Sequence, residues 1–181
     1  MLIIVGASAS GKTDIARILV NDYGFSRVVT STTRAKRPQE VDDVDYHFLT
    51  LDQFEEKLNN NDFIEYTQYN NNYYGTLISD VKEDSILVLN PEGANTIYRK
   101  YKDIAKIFYL ETSKEIRTKR MISRGDSPTE IKNRIESDDL IFAKEKLTGI
   151  DYVIDTSVKT SITLAKEINK IYQEKIKTII E

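Results

Sequence analysis

The chain has 181 residues, which is enough for one domain of ordinary size with a substantial core. Its 26 basic and 29 acidic residues leave a net charge of −3, which gives no support for a nucleic-acid-binding surface, and zero cysteines exclude disulfides and thiolate metal sites. No apolar stretch approaches the ~18 residues of a membrane span, and Met1 leads into an apolar run without a signal-peptide pattern, so we expect a soluble cytoplasmic protein that binds no membrane.

The first predicted element is a strand over residues 2–5, where the run Leu-Ile-Ile-Val ends in a turn rich in small residues. The turn has the pattern G-x-x-x-x-G-K-T and comprises Gly6, Ala7, Ser8, Ala9, Ser10, Gly11, Lys12 and Thr13. An amphipathic helical pattern follows, and such a turn between a strand and a helix binds phosphate through its backbone N–H groups. Lys12 can reach the β- and γ-phosphates, and Thr13 can offer its hydroxyl to Mg²⁺. The sequence therefore predicts a site for a nucleoside triphosphate.

Further short apolar runs alternate with helical patterns and predict a doubly wound parallel sheet. The predicted strands lie at 28–29, 86–89, 104–110 and 152–154, and an amphipathic helix closes the chain over 160–180. Residues 44–76 interrupt this alternation with a strand at 46–49, a helix opened by the capping pair Thr50 and Gln53, and aromatic strands at 63–69 and 72–76. Asn70 and Asn71 suggest a hairpin turn between the last two, so we expect a small antiparallel lobe inserted into the core.

A second insertion is predicted to contain two helices. Thr112 and Glu115 form a capping pattern for a helix that ends near 123, Gly125 follows, and Ser127 restarts a helix with Pro128 in its first position. The helices carry Arg120, Arg124 and Arg134. We interpret the pair as a lid hinged at Gly125, because an activated γ-phosphate must be kept from water. The alternative is two solvated helices whose arginines form ordinary surface pairs.

Before the first of these insertions, Arg34 and Arg37 lie three residues apart on a loop that follows Thr30. Two arginines at this spacing can hold one dianionic phosphate through their planar forks. Tyr46 and Tyr74 can add phenolic hydroxyls to the same phosphate.

These segments together resemble the guanylate kinase family over essentially the whole chain. The shared motifs are the phosphate loop, S-T-T-R-x-x-R-P-x-E-V-x-x-x-D-Y-H-F, F-I-E-Y, N-Y-Y-G-T and the R-G junction of the lid. The resemblance implies a single α/β domain with the three-layer P-loop kinase fold. Its core, built on a parallel sheet, would comprise 1–32, 77–112 and 146–181. A small mixed α/β nucleoside-monophosphate lobe would be inserted at about 33–76 and a helical lid at about 113–145.

The resemblance also implies transfer of the γ-phosphoryl group of ATP to GMP, and to dGMP, with Mg²⁺, in purine nucleotide metabolism, by a monomer or homodimer. It assigns the GMP phosphate to Arg34, Arg37, Tyr46 and Tyr74, the base to Glu65, Thr30 and Thr76, and catalysis to Lys12, Arg34, Arg120, Arg124 and Arg134. The chemistry of Glu65 agrees, since a carboxylate accepts hydrogen bonds and guanine presents N1–H beside its 2-amino group. Adenine would leave the charge unpaired, at a cost of ~10⁴-fold in discrimination. The alternative interpretation is that Glu65 is an exposed strand residue.

The chain departs from the family pattern after the strand at 86–89. The family has D-x-D-x-Q-G there, whereas this chain has Val88 and Asn90 at the acidic positions and Glu92 before Gly93. Because Mg²⁺ prefers carboxylate oxygen, we expect Thr13 to be its main protein ligand, with Asn90 or Glu92 as possible additions. Ala9 also replaces a glycine of the family's loop.

The sequence assigns less definite roles to two further polar residues, Asp155 and His47. Asp155 follows the last strand, where the family's adenine pocket lies, and either contacts ATP or caps the final helix. His47 is the one histidine, and we interpret it as structural, packed beside Tyr46, because phosphoryl transfer depends on positioning and charge neutralisation rather than on a base.

Two other functions are compatible with parts of the pattern. A related kinase could act on another phosphorylated acceptor such as a ribose bisphosphate, which would account for the missing aspartates but not for Glu65. A non-catalytic guanylate-kinase-like binding module is the other, although such modules typically lose the lysine that this chain keeps as Lys12.

Overall fold

The computed structural model describes residues 1–69, 71–82 and 84–180, with side chains described as far as residue 174. It has two sheets and six α-helices among these residues. The larger sheet contains β1 (Leu2–Gly6), β2 (Ser26–Arg27), β7 (Ser85–Leu89), β8 (Lys106–Glu111) and β9 (Tyr152–Asp155). Its strand order is β2-β7-β1-β8-β9, and every neighbouring pair is parallel. The parallel core predicted from alternating strands and helices is confirmed.

The central strand β1 shows why both faces of this sheet are covered. All five of its residues are buried, and successive side chains point to opposite faces. Leu2 and Ile4 pack with α1 (Lys12–Tyr23) and α6 (Ser161–Ile180), whereas Ile3 and Val5 pack with α3 (Pro91–Lys100) on the other face. The result is the three-layer α/β arrangement expected from the sequence.

The smaller sheet has the order β4-β3-β6-β5. Its strands are β3 (Ser31–Thr32), β4 (His47–Phe48), β5 (Phe63–Tyr69) and β6 (Asn72–Leu77), and α2 (Leu51–Asn59) packs beside them through Phe54. Thr50 and Gln53 form the expected capping box at the start of α2. The expected antiparallel pairing holds for β3 with β6 and for β5 with β6, whereas β3 and β4 pair in parallel. The sheet also begins at Ser31, two residues before the expected boundary.

The second insertion contains α4 (Lys114–Arg124) and α5 (Pro128–Ile141). Gly125 ends α4 in the left-handed region with φ 87°, and Ser127 opens α5 with a capping box, both as predicted. The predicted cap of α4 was wrong by one residue. Ser113 accepts the N–H of Ile116, while the Thr112 hydroxyl lies 2.5 Å from that of Thr156. A contact between distant segments thus decides which of two adjacent hydroxyl residues caps the helix.

Three smaller differences complete the comparison. β2 lies at Ser26–Arg27 rather than at 28–29, although Val28 still donates to the carbonyl of Ile86 at 3.2 Å. Helix α3 was not predicted, despite the proline at its first turn. Of the predicted hairpin turn, Asn70 lies outside the described residues. No helix in the described part of the chain combines the length and apolarity needed to cross a membrane.

Candidate active site

A cavity of about 570 Å³ opens between the phosphate loop, the smaller sheet and the lid helices, at the carboxyl ends of the core strands. The predicted site residues that line it are Ser8, Ala9, Gly11, Lys12, Thr13, Thr30, Arg34, Arg37, Tyr46, Glu65, Tyr74, Asn90, Arg120, Arg124 and Arg134. Gly6, Ala7, Ser10, Thr76, Glu92 and Asp155 do not line it. One cavity therefore brings the two predicted nucleotide sites together.

The phosphate loop runs from the end of β1 into α1 in the way the motif requires. Gly6 has no room for a side chain, since a Cβ there would lie 2.7 Å from Ser10 Oγ and 2.8 Å from the carbonyl of Leu110. Gly11 has φ 94° and directly precedes the first residue of α1, so the helix N-terminus faces the loop. Ala9 adopts φ 61°, a left-handed conformation that costs a residue with a Cβ roughly 1–2 kcal/mol.

The side chain of Lys12 folds back onto the phosphate loop. Its Nζ donates to the carbonyls of Gly6 at 2.6 Å and Ala7 at 2.9 Å. Burial lowers the pKa of Lys12 to about 8, and Asp138 partly opposes this shift. The lysine that would meet phosphate oxygens is therefore held in the site by backbone carbonyls, and its charge is sensitive to nearby groups.

The three lid arginines differ in how firmly they are held. Arg120 donates to the carbonyls of Ala9 at 3.1 Å and Thr156 at 2.6 Å, so it braces the phosphate loop. Arg124 pairs with Asp126 through Nε at 2.9 Å. The guanidinium of Arg134 has no hydrogen bond or ion pair with the described residues and lines the cavity. The pair of helices thus presents cationic groups to the cavity, which agrees with the lid interpretation.

The acceptor arginines are organised by a residue that the sequence did not single out, Glu40. Arg34 Nη2 donates to both carboxylate oxygens of Glu40, at 2.7 and 2.9 Å, and the backbone N–H of Arg37 donates to one of them at 2.9 Å. The Arg34 guanidinium also lies 5.3 Å from the ring centroid of Tyr46, which meets Tyr74 edge-on at 6.2 Å. These contacts place both arginines and both tyrosines at one corner of the cavity.

Glu65 also lines the cavity and is buried, with 4 % exposure. Its Oε1 accepts the hydroxyl of Thr76 at 2.5 Å, while Oε2 has no hydrogen-bond partner among the described residues. Burial raises the pKa of Glu65 to about 7. The alternative of an exposed strand residue was wrong. A desolvated carboxyl with a free oxygen is suited to a ligand that donates hydrogen bonds.

The two proposed additional metal ligands are engaged elsewhere. Asn90 caps α3, since its Oδ1 accepts the N–H of Gly93 at 2.9 Å and its amide donates to Thr67 at 3.3 Å. Glu92 accepts the Thr67 hydroxyl at 2.6 Å. The described residues contain no cluster of three histidines or carboxylates able to hold a metal. Thr13 remains the ligand expected from the sequence.

Two further predicted residues lie away from the cavity. Asp155 accepts the N–H of Ser157 at 2.8 Å, and it is Thr160 that accepts the N–H of Thr163 at 3.3 Å in the first turn of α6, so Asp155 does not cap that helix. His47 is flanked by two carboxylates, with Nδ1 2.7 Å from Asp43 and Nε2 3.2 Å from Asp80.

Sequence reasoning also missed Asp138 of α5. It is fully buried and accepts the backbone N–H of Ser8 at 2.6 Å and the phenol of Tyr69 at 2.8 Å. In the sequence it is one of two adjacent aspartates in a polar helix, a pattern typical of a solvated face. No local signal could have identified it.

One cavity is thus lined by a phosphate loop and by paired arginines together with a buried carboxyl. This arrangement defines a P-loop kinase whose acceptor already carries a phosphate. The model of the guanylate kinase family matches residues 1–174, and the chain belongs to that family.

Individual relatives agree with this assignment. A guanylate kinase of Symbiobacterium thermophilum is 36% identical over 163 residues, covering 85% of this chain and 76% of its own. A guanylate kinase of Lactococcus lactis is 32% identical, covering 100% of this chain and 92% of its own. The crystal structure of a guanylate kinase from Anaplasma phagocytophilum shares the fold with a TM-score of 0.70 at 22% identity, covering 96% of this chain and 85% of that one.

Proposed function

We propose that the chain transfers the γ-phosphoryl group of ATP to GMP, and to dGMP, and releases ADP and GDP or dGDP. The observation that carries the proposal is the buried Glu65, whose Oε2 has no hydrogen-bond partner among the described residues and which lines the same cavity as the phosphate loop. We infer that this reaction takes place in the cytoplasm and that the enzyme is a monomer or homodimer.

The base of the acceptor is read by Glu65 in this proposal. Guanine offers two neighbouring donors, N1–H and the 2-amino group, and a carboxylate accepts both. Thr76 holds the other oxygen of Glu65 at 2.5 Å and thereby fixes the orientation of the carboxyl plane, and Thr30 lines the same cavity. Adenine would turn a lone pair toward the carboxylate, which is the basis for its rejection.

The phosphate of the acceptor is held by Arg34, Arg37, Tyr46 and Tyr74. Glu40 keeps the Arg34 fork in place from behind, at 2.7 and 2.9 Å, so that little side-chain freedom is lost when phosphate binds. The two hydroxyl groups of the edge-on tyrosine pair complete the set of donors.

The donor phosphates are bound by the backbone N–H groups of the loop and by Lys12. Lys12 leaves the carbonyls of Gly6 and Ala7 to meet the β- and γ-phosphates, and Arg120, Arg124 and Arg134 neutralise the charge that develops on the transferred group. Catalysis is then positioning and electrostatic stabilisation, and no general base is required.

Mg²⁺ fits this site through Thr13, which is exposed, lines the cavity and keeps its hydroxyl free of hydrogen bonds to the described residues. Thr13 would hold the ion through its hydroxyl, and the ion would supply neutralisation of phosphate charge.

The test is an ADP-release assay with ATP, Mg²⁺ and one of GMP, dGMP, AMP or UMP. We expect turnover with the two guanine nucleotides, and with AMP and UMP only at background level. The absence of turnover with GMP contradicts the proposal. Turnover with a ribose bisphosphate but not with GMP would favour the other kinase, and an absence of ATP binding by calorimetry would favour the binding module.

A substitution separates the role of Glu65 from a structural one. We expect Glu65→Ala to reduce kcat/KM for GMP by ~10³-fold or more, since a site built on hydrogen bonds rejects partners that cannot make them. The affinity for ATP should change by less than about threefold, because Glu65 lies in the acceptor region. Equal losses for both nucleotides would show that Glu65 supports the fold.

A further inference from the structure

Asp138 is a fully buried carboxylate at the point where four segments of the chain meet. It lies on α5. Its Oδ2 accepts the N–H of Ser8 in the phosphate loop at 2.6 Å, and its Oδ1 accepts the phenol of Tyr69 on β5 at 2.8 Å. Arg117 of α4 places Nη1 3.6 Å from Oδ2. The reaction proposed above assigns no role to this side chain.

On the acceptor side, Asp138 is connected to the strand that carries Glu65. Glu65, Thr67 and Tyr69 alternate along β5, so they share one face, and all three line the cavity. Burial, together with the charge of Asp138, raises the pKa of Tyr69 to about 12, so the phenol keeps the proton that it donates. A base bound to Glu65 therefore contacts β5, and β5 is hydrogen-bonded to α5 of the lid through Tyr69 and Asp138.

On the donor side, the same carboxylate acts on the phosphate loop in two ways. It fixes the Ser8 amide directly at 2.6 Å. It also raises the pKa of Lys12, which burial, Arg117 and Arg124 lower. The loop geometry and the charge of its lysine thus both depend on Asp138.

Burying the charges of Arg117 and Asp138 together costs desolvation free energy, which argues against a purely stabilising role for their contact. Arg117 is only 4 % exposed, pairs with Asp139 at 2.8 Å, and leaves Nε and Nη1 without a hydrogen bond to the described residues. Buried ion pairs seldom stabilise a protein more than well-packed apolar side chains of the same volume. Their best-documented benefit is the selection of one arrangement of the elements that carry them.

We propose that Asp138 is a positioning residue that couples the two nucleotide sites. Its two oxygens hold Tyr69 on the acceptor strand and Ser8 in the phosphate loop. The arrangement of β5 that binds GMP is therefore linked to the arrangement of the phosphate loop and lid that binds ATP. Each nucleotide then increases the affinity for the other. This coupling rests on the proposed function, in which ATP and GMP are the two substrates.

The experiment measures this coupling with and without the Tyr69 phenol. The affinity for GMP is determined by calorimetry in the absence and in the presence of saturating non-hydrolysable ATP analogue with Mg²⁺. In the wild type we expect the analogue to tighten GMP binding by ~5-fold or more, which is the usual size of such coupling. In Tyr69→Phe we expect a factor within about twofold of one, while each nucleotide alone binds within about threefold of the wild type.

The matched control is Tyr73→Phe, which removes a phenol from β6 in the same sheet. The Tyr73 ring stacks on Phe54 at 5.4 Å, whereas the partners described for the Asp138 carboxylate are Ser8, Tyr69 and Arg117. We expect it to retain the wild-type coupling. A wild-type factor of one, or a Tyr69→Phe factor equal to that of the wild type, overturns the proposal.

Asp138→Asn provides the second arm, since it keeps the size of the side chain and removes its charge. Its coupling factor should equal that of Tyr69→Phe, and the double variant should lose no more than either single one, because both break the same link. Additive losses contradict the link. If Asp138→Asn does not fold, Tyr69→Phe decides alone, since it removes a single oxygen. Turnover of GMP by the wild type is tested separately, so failure of the coupling leaves the proposed function standing.

Discussion

At the scale of single residues, the proposed role of Glu65 makes binding of the acceptor depend on the protonation of its carboxyl. Its pKa of about 7, raised by burial, means that the carboxyl is largely protonated at pH 6 and largely ionised at pH 8. Only the ionised form offers two acceptors to guanine, and bound guanine in turn stabilises the charge. GMP binding below pH 7 must therefore release a proton.

We predict that the affinity for GMP falls toward tenfold per pH unit below pH 7 through Glu65, and is independent of this group above it. Calorimetry from pH 5.5 to 8.5 measures this. The phosphate of GMP also titrates near pH 6, so Glu65→Gln serves as the control, because it keeps the phosphate and removes the carboxyl. The ratio of the two affinities isolates Glu65, and a ratio that does not change with pH would contradict the prediction.

The same group makes a prediction about stability. The pKa of Glu65 is about 7 in the folded chain against an ordinary 4.5, so the folded state binds more protons between these values. Its contribution to the free energy of unfolding is therefore present below pH 4.5 and lost as the pH rises to 7. The free energy of unfolding of Glu65→Gln, relative to that of the wild type, should therefore rise by up to about 3 kcal/mol between pH 5 and pH 8. Urea unfolding at several pH values checks this, and parallel pH profiles for the two proteins would show that the carboxyl is not desolvated.

How far single residues could be predicted depends on where their function is encoded. Lys12, the arginine pair and Glu65 stand in motifs whose residue types already fit phosphate or a guanine edge. Glu40 and Asp138 are carboxylates whose roles come from their partners, and those partners are set by tertiary structure. The sequence pattern could indicate residues that line the cavity, but not the carboxylates that hold them in place.

At the scale of elements, the lid hinge can be tested against a matched helix end. Gly125 ends α4 with φ 87° and Gly24 ends α1 with φ 74°, and a Cβ at either position meets nothing within 4 Å. Alanine at each should therefore cost a similar ~1–2 kcal/mol of unfolding free energy through backbone strain alone. Only Gly125 joins the two helices that carry the lid arginines.

We predict that Gly125→Ala lowers kcat by roughly fivefold or more while Gly24→Ala leaves it within about twofold, since hinge residues absorb the backbone change of closure. Thermal unfolding establishes that the two variants are equally destabilised, and steady-state kinetics compares them. Equal kcat values would mean that Gly125 acts only as a helix cap.

The elements that could be predicted were those whose signals are local. The capping boxes at Thr50 and Ser127 set the starts of α2 and α5, because both partners of each box lie within four residues. The two-residue strands depend on their neighbours instead. β3 exists because Ser31 and Thr32 pair with β4 on one side and β6 on the other, and the sequence contains no local sign of this.

At the scale of the whole molecule, charge is unevenly distributed. The chain carries a net charge of −3, yet among its described residues seven cationic and two anionic side chains line the cavity. ATP and GMP are both anions, so the acidic exterior repels them weakly while the cleft attracts them. A charged cleft with low-dielectric walls raises the local concentration of such substrates, and salt screens this effect with a Debye length of about 10 Å at 0.1 M.

We predict that raising KCl from about 20 to about 500 mM lowers kcat/KM for GMP by ~10-fold, with a smaller effect on kcat, because the screened attraction acts on encounter. Arg37, about half exposed at the rim, contributes to this field, whereas Lys170 lies exposed on α6 and pairs with Glu174. Arg37→Gln should therefore flatten the salt dependence, and Lys170→Gln, an equal change in net charge, should leave it unaltered. If both variants change the slope alike, the net charge of the molecule controls encounter; a change confined to Arg37→Gln shows that the cleft does.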